Sequence, residues 1–259
     1  MRISPRYRLS ATLALVCLVS LSGDVQSADL ITNGGFESGS FAGWTVATEF
    51  SGTSYDNNAT APASDFYIQA DSFTTPVSGL ATLGPASGNS FALADSTTAG
   101  ANVLIQNFTV PLGTIALNLS FDMFTYDWYG FGATGTSLSY LDDPNQHVRV
   151  DLLKVTSPDF STDPADVILN IFDGLQTNTD PPTWQTYNQD LLAFVTPGST
   201  YRLRFGAVDN QFVLNMGVDN VSVIAVPEPS TFLLGSLAGL TIYVLRTRRL
   251  YTSVRTFPD

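Results

Sequence analysis

The chain has 259 residues, with 23 acidic against 11 basic side chains and a net charge of −12 at neutral pH. Between residues 29 and 225 the imbalance sharpens to 20 acids against 4 bases, a net charge of −16. Such a surface repels nucleic acid and anionic lipid and argues against either as a partner, while it attracts divalent cations.

At the N-terminus, Arg2, Arg6 and Arg8 precede an apolar stretch over 9–21, and small or polar residues fill 23–28. This is the pattern of a secretory signal peptide, as a short helix, with cleavage after Ser27 or Ala28. The single cysteine, Cys17, lies inside it. The exported chain then has no disulfide and is held by core burial, with or without a metal. Residues 29–225 are one domain, long enough for a real core.

Residues 30–39 carry Asn33, Gly34, Gly35, Phe36 and Glu37, with Trp44 beyond them. Strands are expected over 91–94, 102–111, 115–126, 147–155, 167–172, 200–208 and 217–224. In 115–126 the alternation puts Ile115, Leu117, Leu119, Phe121, Met123 and Thr125 on one face. In 200–208, Tyr201, Leu203 and Phe205 are expected in the core and Arg202 and Arg204 in solvent. A weak helical signal covers 190–194. Many strands with polar connections predict an all-β fold, an antiparallel sandwich.

Trp128, Tyr129 and Phe131, interleaved with Gly130 and Gly132, form an aromatic loop beside Asp127. Sugars stack on flat rings and need polar groups for their hydroxyls, so Trp128, Tyr129 and Asp127 are the candidate carbohydrate-binding residues. Trp184 and Tyr187 form a second cluster. Rings of this kind also serve simply to cover a core. His147, the only histidine, shares a strand face with Arg149 and Asp151 and reads as structural or surface. The acid pairs Asp142 with Asp143, Asp163 with Asp166, and Asp122 with Asp127 sit in contexts that favour turns over a catalytic carboxylate pair. No serine nucleophile motif, histidine metal pair or phosphate loop is present, and no enzyme is expected.

The chain closes on Val226-Pro227-Glu228-Pro229-Ser230, an apolar run over 231–245, and Arg246, Arg248 and Arg249. The two prolines stiffen the box into an extended spacer. The apolar run would make a helix of roughly 22 Å, short for a hydrocarbon core of ~30 Å unless flanking residues contribute. Arginines after it are expected on the cytoplasmic side. A plain C-terminal anchor is one reading.

The Pro-Glu-Pro box, apolar segment and basic end together resemble the PEP-CTERM sorting signal of Gram-negative bacteria. That resemblance implies export across the inner membrane, an exosortase partner acting near Pro227, Glu228 and Pro229, and a mature form at the cell surface or outside the cell. It divides the chain into a signal peptide (1–28), a sandwich (29–225), a sorting signal (226–250) and a tail (251–259). The opening Asn33-Gly34-Gly35-Phe36-Glu37 with Trp44, and the closing Asp219-Asn220-Val221, resemble galactose-binding-like jelly rolls of the carbohydrate-binding-module type. That second resemblance implies that 30–39 form a first strand beside the last, with Glu37 and Asp219 helping to hold a structural calcium ion. The alternative is that these two acids bond backbone amides. Function then stands between a non-catalytic module associating with exopolysaccharide, a matrix component without a ligand, and a polysaccharide hydrolase.

Overall fold

The computed structural model describes residues 26–54, 64–70, 74–176 and 181–228. Among the described residues eleven strands run in chain order: β1 (Ala28–Asp29), β2 (Thr45–Ser54), β3 (Ser64–Ala70), β4 (Ser90–Ser96), β5 (Thr98–Thr109), β6 (Thr114–Asp127), β7 (Gln146–Lys154), β8 (Val167–Gly174), β9 (Gln185–Asp190), β10 (Thr200–Asp209) and β11 (Leu214–Pro227). One sheet has the order β3-β4-β11-β6-β9, with β1 also on β11, and the other β2-β5-β10-β7-β8. The ladders within both sheets are antiparallel, as the period-two pattern predicts. The expected helical signal is a single 3-10 turn, Leu192–Phe194.

The alternating residues of both sheets meet in one core. Leu117, Leu119, Phe121 and Met123 of β6 face Leu104, Val148, Val150, Leu203 and Phe205 from the other sheet. Phe121 makes an edge contact with Phe205 at 5.2 Å and stacks on Tyr187 at 5.0 Å. Trp44 and Phe36 continue this line of rings towards the N-terminal segment. Ile115 departs from the expected pattern. It is 46% exposed, near the start of β6.

Two corrections concern local structure. The segment 30–39 is a series of turns, and β1 beneath it is only two residues long. Asn33 and Phe36 both take positive φ, 54° and 56°, and Phe36 is driven fully into the core. Gly34 lies so close to β11 that a Cβ there would be 1.8 Å from the Val221 carbonyl oxygen. The second correction is Arg204, which is completely buried. The outer face of its sheet is roofed by the strap 133–145, through Leu138 and Tyr140, and by Phe160. Arg204 Nη2 donates to Asp151 Oδ2 at 2.6 Å, and its Nη1 donates to the carbonyls of Asp159 and Ser161 at 2.8 Å. Arg149 donates to both Asp151 oxygens and to Asp173. Arg202, also expected in solvent, has a side chain only 13% exposed and pairs with Asp159.

Pro227 closes β11 and Glu228 follows it, exposed. Pro229, Arg246, Arg248, Arg249, the apolar run and nearly all of the signal peptide lie outside the described residues. Among the described residues no helix is long and apolar enough to cross a membrane.

Candidate functional site

The loop that follows β6 is organised by its own acid. Asp127 is buried, and its Oδ1 accepts from the amides of Tyr129 (3.1 Å) and Gly130 (2.9 Å) while Oδ2 accepts from Gly132 (2.7 Å). Gly130 and Gly132 supply the positive φ, 72° and 80°, that wraps the chain around the carboxylate. Asp127 therefore serves the loop's backbone through both of its carboxylate oxygens. Trp128 is also committed inward. Its amide donates to the Val213 carbonyl, its Nε1 donates to Asn215 Oδ1 at 2.9 Å, and its ring meets Tyr126 edge-on at 4.5 Å.

What the loop displays is Tyr129, 60% exposed, and Phe131, 51% exposed. A third ring joins them from the β10–β11 turn. Phe212, 41% exposed, lies 4.9 Å from Tyr129 and 5.9 Å from Phe131, nearly parallel to the latter at 17°. The turn holding Phe212 is built on Asp209 Oδ1, which accepts from the amides of Gln211 and Phe212. Phe212 itself sits at φ 146°, a value that side-chain-bearing residues rarely adopt. Three large rings left together in water form an apolar face of the kind associated with binding. Beside it opens a pocket of about 260 Å³ lined by Thr125, Asp127, Gly130, Gly132, Ala133, Leu175 and Gln176. Phe212 was missed by sequence reasoning. The available signal was a bulky ring placed in the turn-forming run Asp209-Asn210-Gln211.

The second aromatic cluster is packing. Trp184 covers Phe91 and Phe124 edge-on and donates its Nε1 to the Gly84 carbonyl, and Tyr187 stacks in the core. His147 is buried, with Nδ1 at 3.2 Å from the Thr134 carbonyl, and burial holds its pKa down.

Glu37 and Asp219 meet a common loop, 84–90. The Glu37 carboxylate accepts from the amides of Asn89 and Ser90, and the Asn89 bond holds its pKa below the ordinary value. Asp219 Oδ2 accepts from the amides of Ala86 and Ser87, and Oδ1 from that of Asn220. Burial pushes Asp219 up to about 6 against those bonds. A Cβ on Gly35 would lie 3.9 Å from Asp219 Oδ1, Asn220 Oδ1 and Glu37 Cγ, so the two acids border one small cradle. Its oxygens are hard donors of the type calcium takes, and each carboxylate is also served by amides. Among the described residues no group of three or more His, Cys, Asp or Glu gathers to hold a metal.

No protein family's sequence model matches this chain, and no curated protein matches it. Solved structures similar to it include a carbohydrate-binding module in complex with β-1,4-galactotriose, at 10% identity over 76% of this chain and 97% of that one, TM-score 0.45. Another is the K3 cleaved adhesin domain of Lys-gingipain from Porphyromonas gingivalis, at 14% identity over 77% and 99% of the two chains, TM-score 0.43. A third is the xylan-binding domain of a Paenibacillus barcinonensis protein, at 10% identity over 80% and 99%, TM-score 0.37. At this level of likeness none lends its ligand to this chain, and the sandwich stands on its own strand ladders.

Proposed function

We propose that this chain is an exported, non-catalytic surface or matrix protein that associates with exopolysaccharide through Tyr129, Phe131 and Phe212. The observation that carries this reading is the exposed three-ring face, assembled from two loops that the fold spends two buried aspartates to hold. A pyranose presents an apolar face of C–H groups that matches an aromatic plane, and the adjoining pocket gives room for a neighbouring sugar unit. Supporting the non-catalytic reading, one acid of each pair anchors a loop: Asp127 on its own amides, Asp142 on Ser137, Asp166 on Ser161. Export through the N-terminal signal, inner-membrane passage and exosortase processing at the Pro-Glu-Pro box complete the proposal. A calcium ion between Glu37 and Asp219 is a separable part of it.

The test is a glycan array probed with the purified protein. Binding that falls about tenfold or more in Phe212→Ala and survives Trp128→Phe supports the reading. A blank array favours a matrix component with no specific ligand, and turnover of an arrayed polysaccharide would establish a hydrolase.

A further inference from the structure

Under the ring face lies an arrangement that the ligand reading leaves unused. Asp209 and Gln146 are cross-strand partners on β10 and β7. Both are buried and stand on the core side of their sheet, at the end capped by the Asp127 loop. Gln146 Nε2 reaches the Gly132 carbonyl at 3.4 Å, and the Gly132 amide is held by Asp127. Gln146 thus links the strand position opposite Asp209 to the loop held by Asp127. Its Oε1 is a buried acceptor that no donor reaches, a costly state for a polar atom. The loop held by Asp127 is likewise tied to the Phe212 turn, because Trp128 donates its backbone N–H to the Val213 carbonyl.

We propose that Asp209 stands in the folded chain as the neutral acid, its O–H donated to Gln146 Oε1, and that losing this proton favours opening of the turn that positions Phe212, because the cost of keeping the charge buried outweighs the stronger amide bonds that the carboxylate accepts. Asp209 is then a positioning residue for the ring face, which is assembled below neutrality and loosened above it. The proton released goes to solvent, and the product is a second buried carboxylate facing that of Asp127. Two anions in one desolvated site disfavour each other's ionisation. Asp127 is a charged group that acts on Asp209. Opposite Asp209 the neighbouring strands place Gly100 and Gln146, both uncharged, and His147 belongs to the other face of the sheet. In agreement, burial, opposed by the amides of Gln211, Phe212 and Leu214 and reinforced by Asp127, pushes Asp209 up to about 7.

This inference deepens the ligand reading but is tested without a ligand. Hydrogen exchange of the segments 127–133 and 209–214 is followed in the purified protein from pH 5.5 to 8.5, corrected for intrinsic rates, alongside an NMR titration of the Asp209 carboxyl carbon. Protection is expected to fall as pH rises through about 7, with the carboxyl titrating in step. In Asp209→Asn, which can donate to Gln146 at every pH, protection is expected to be pH-independent. An Asp209 carboxyl that titrates in the ordinary range near 4 overturns the proposal. So does wild-type protection that is flat with pH, or a pH dependence that persists in Asp209→Asn. A protein that shows this transition and binds no glycan retires the carbohydrate reading and leaves the switch standing.

Discussion

A guanidinium with no solvent exposure must find its counter-charge inside the protein, and Arg204 finds it in Asp151. Asp151 accepts from Arg204, Arg149 and Asn170, so one carboxylate organises most of the roofed face. Asp151→Ala leaves the fully buried Arg204 without its carboxylate partner and Arg149 with Asp173 alone, and is expected to cost about 3–5 kcal/mol. Thermal melting would register this as a drop of about 10 °C, and a drop under about 2 °C would mean that the roof opens to water. The alternation in 200–208 correctly separated Tyr201, Leu203 and Phe205 from the two arginines. It could not tell solvent from a roof, because periodicity specifies which side of a strand a residue is on and says nothing of what a distant loop lays over that side. The aromatic loop was legible as a whole, whereas the roles inside it were not. Asp127 and Trp128 turn inward through bonds to amides and to Asn215, partners that no short-range pattern reveals.

At the scale of elements, the long strands were readable because their apolar residues recur at every second position over eight or more residues. β9 was missed because its sequence is polar, and β2 and β3 because their apolar residues are few or run together as Phe66-Tyr67-Ile68 without alternating. β9 is Gln185–Asp190, an edge strand with its outer residues exposed. The opening motif was misread as a strand for the opposite reason. Asn33, Gly34 and Phe36 are chosen for tight turns against β11, where the Gly34 carbonyl accepts from the Val221 amide at 3.0 Å. Gly34→Ala is expected to push this segment off β11 and lower the melting temperature by several degrees, while Gly39→Ala, whose Cβ meets nothing, strains only its positive φ. The loop 84–90 is fastened by Glu37 at one end and Asp219 at the other. Asp219→Ala leaves the amides of Ala86 and Ser87 without their acceptor and is expected to destabilise by about 1–3 kcal/mol. If calcium joins the clamp, added calcium raises the melting temperature of the wild type and not of Asp219→Ala; a melt indifferent to both calcium and EGTA leaves amide capture as the sole role of the two acids.

Across the whole molecule, two buried acids and a strong negative charge bear on stability in the same direction. Asp209 is pushed up to about 7 and Asp219 to about 6, from an ordinary 3.8. Between 3.8 and those values the folded chain keeps protons that the unfolded chain has released, so stability falls as pH rises across that window and levels off above it. Self-repulsion of the acidic surface adds to the fall. Glu37, with its pKa lowered, works the other way and loses its contribution as pH falls below its ordinary 4.5. Melting is therefore expected to be highest near pH 5 and lower at pH 8, and a maximum at pH 8 would show that the two aspartates are hydrated in the folded chain. The sandwich itself was legible from composition and strand pattern. The ring face was only half legible, because it is assembled from two loops about eighty residues apart in sequence that meet solely through the pairing of β6 with β11. Its role is tested most directly by affinity electrophoresis of the purified protein through gels carrying exopolysaccharide. Retardation that is lost in the Tyr129→Ala/Phe131→Ala/Phe212→Ala variant and kept in Trp128→Phe is the expected result. Equal mobility of the wild type and the triple variant at every polysaccharide concentration would contradict it.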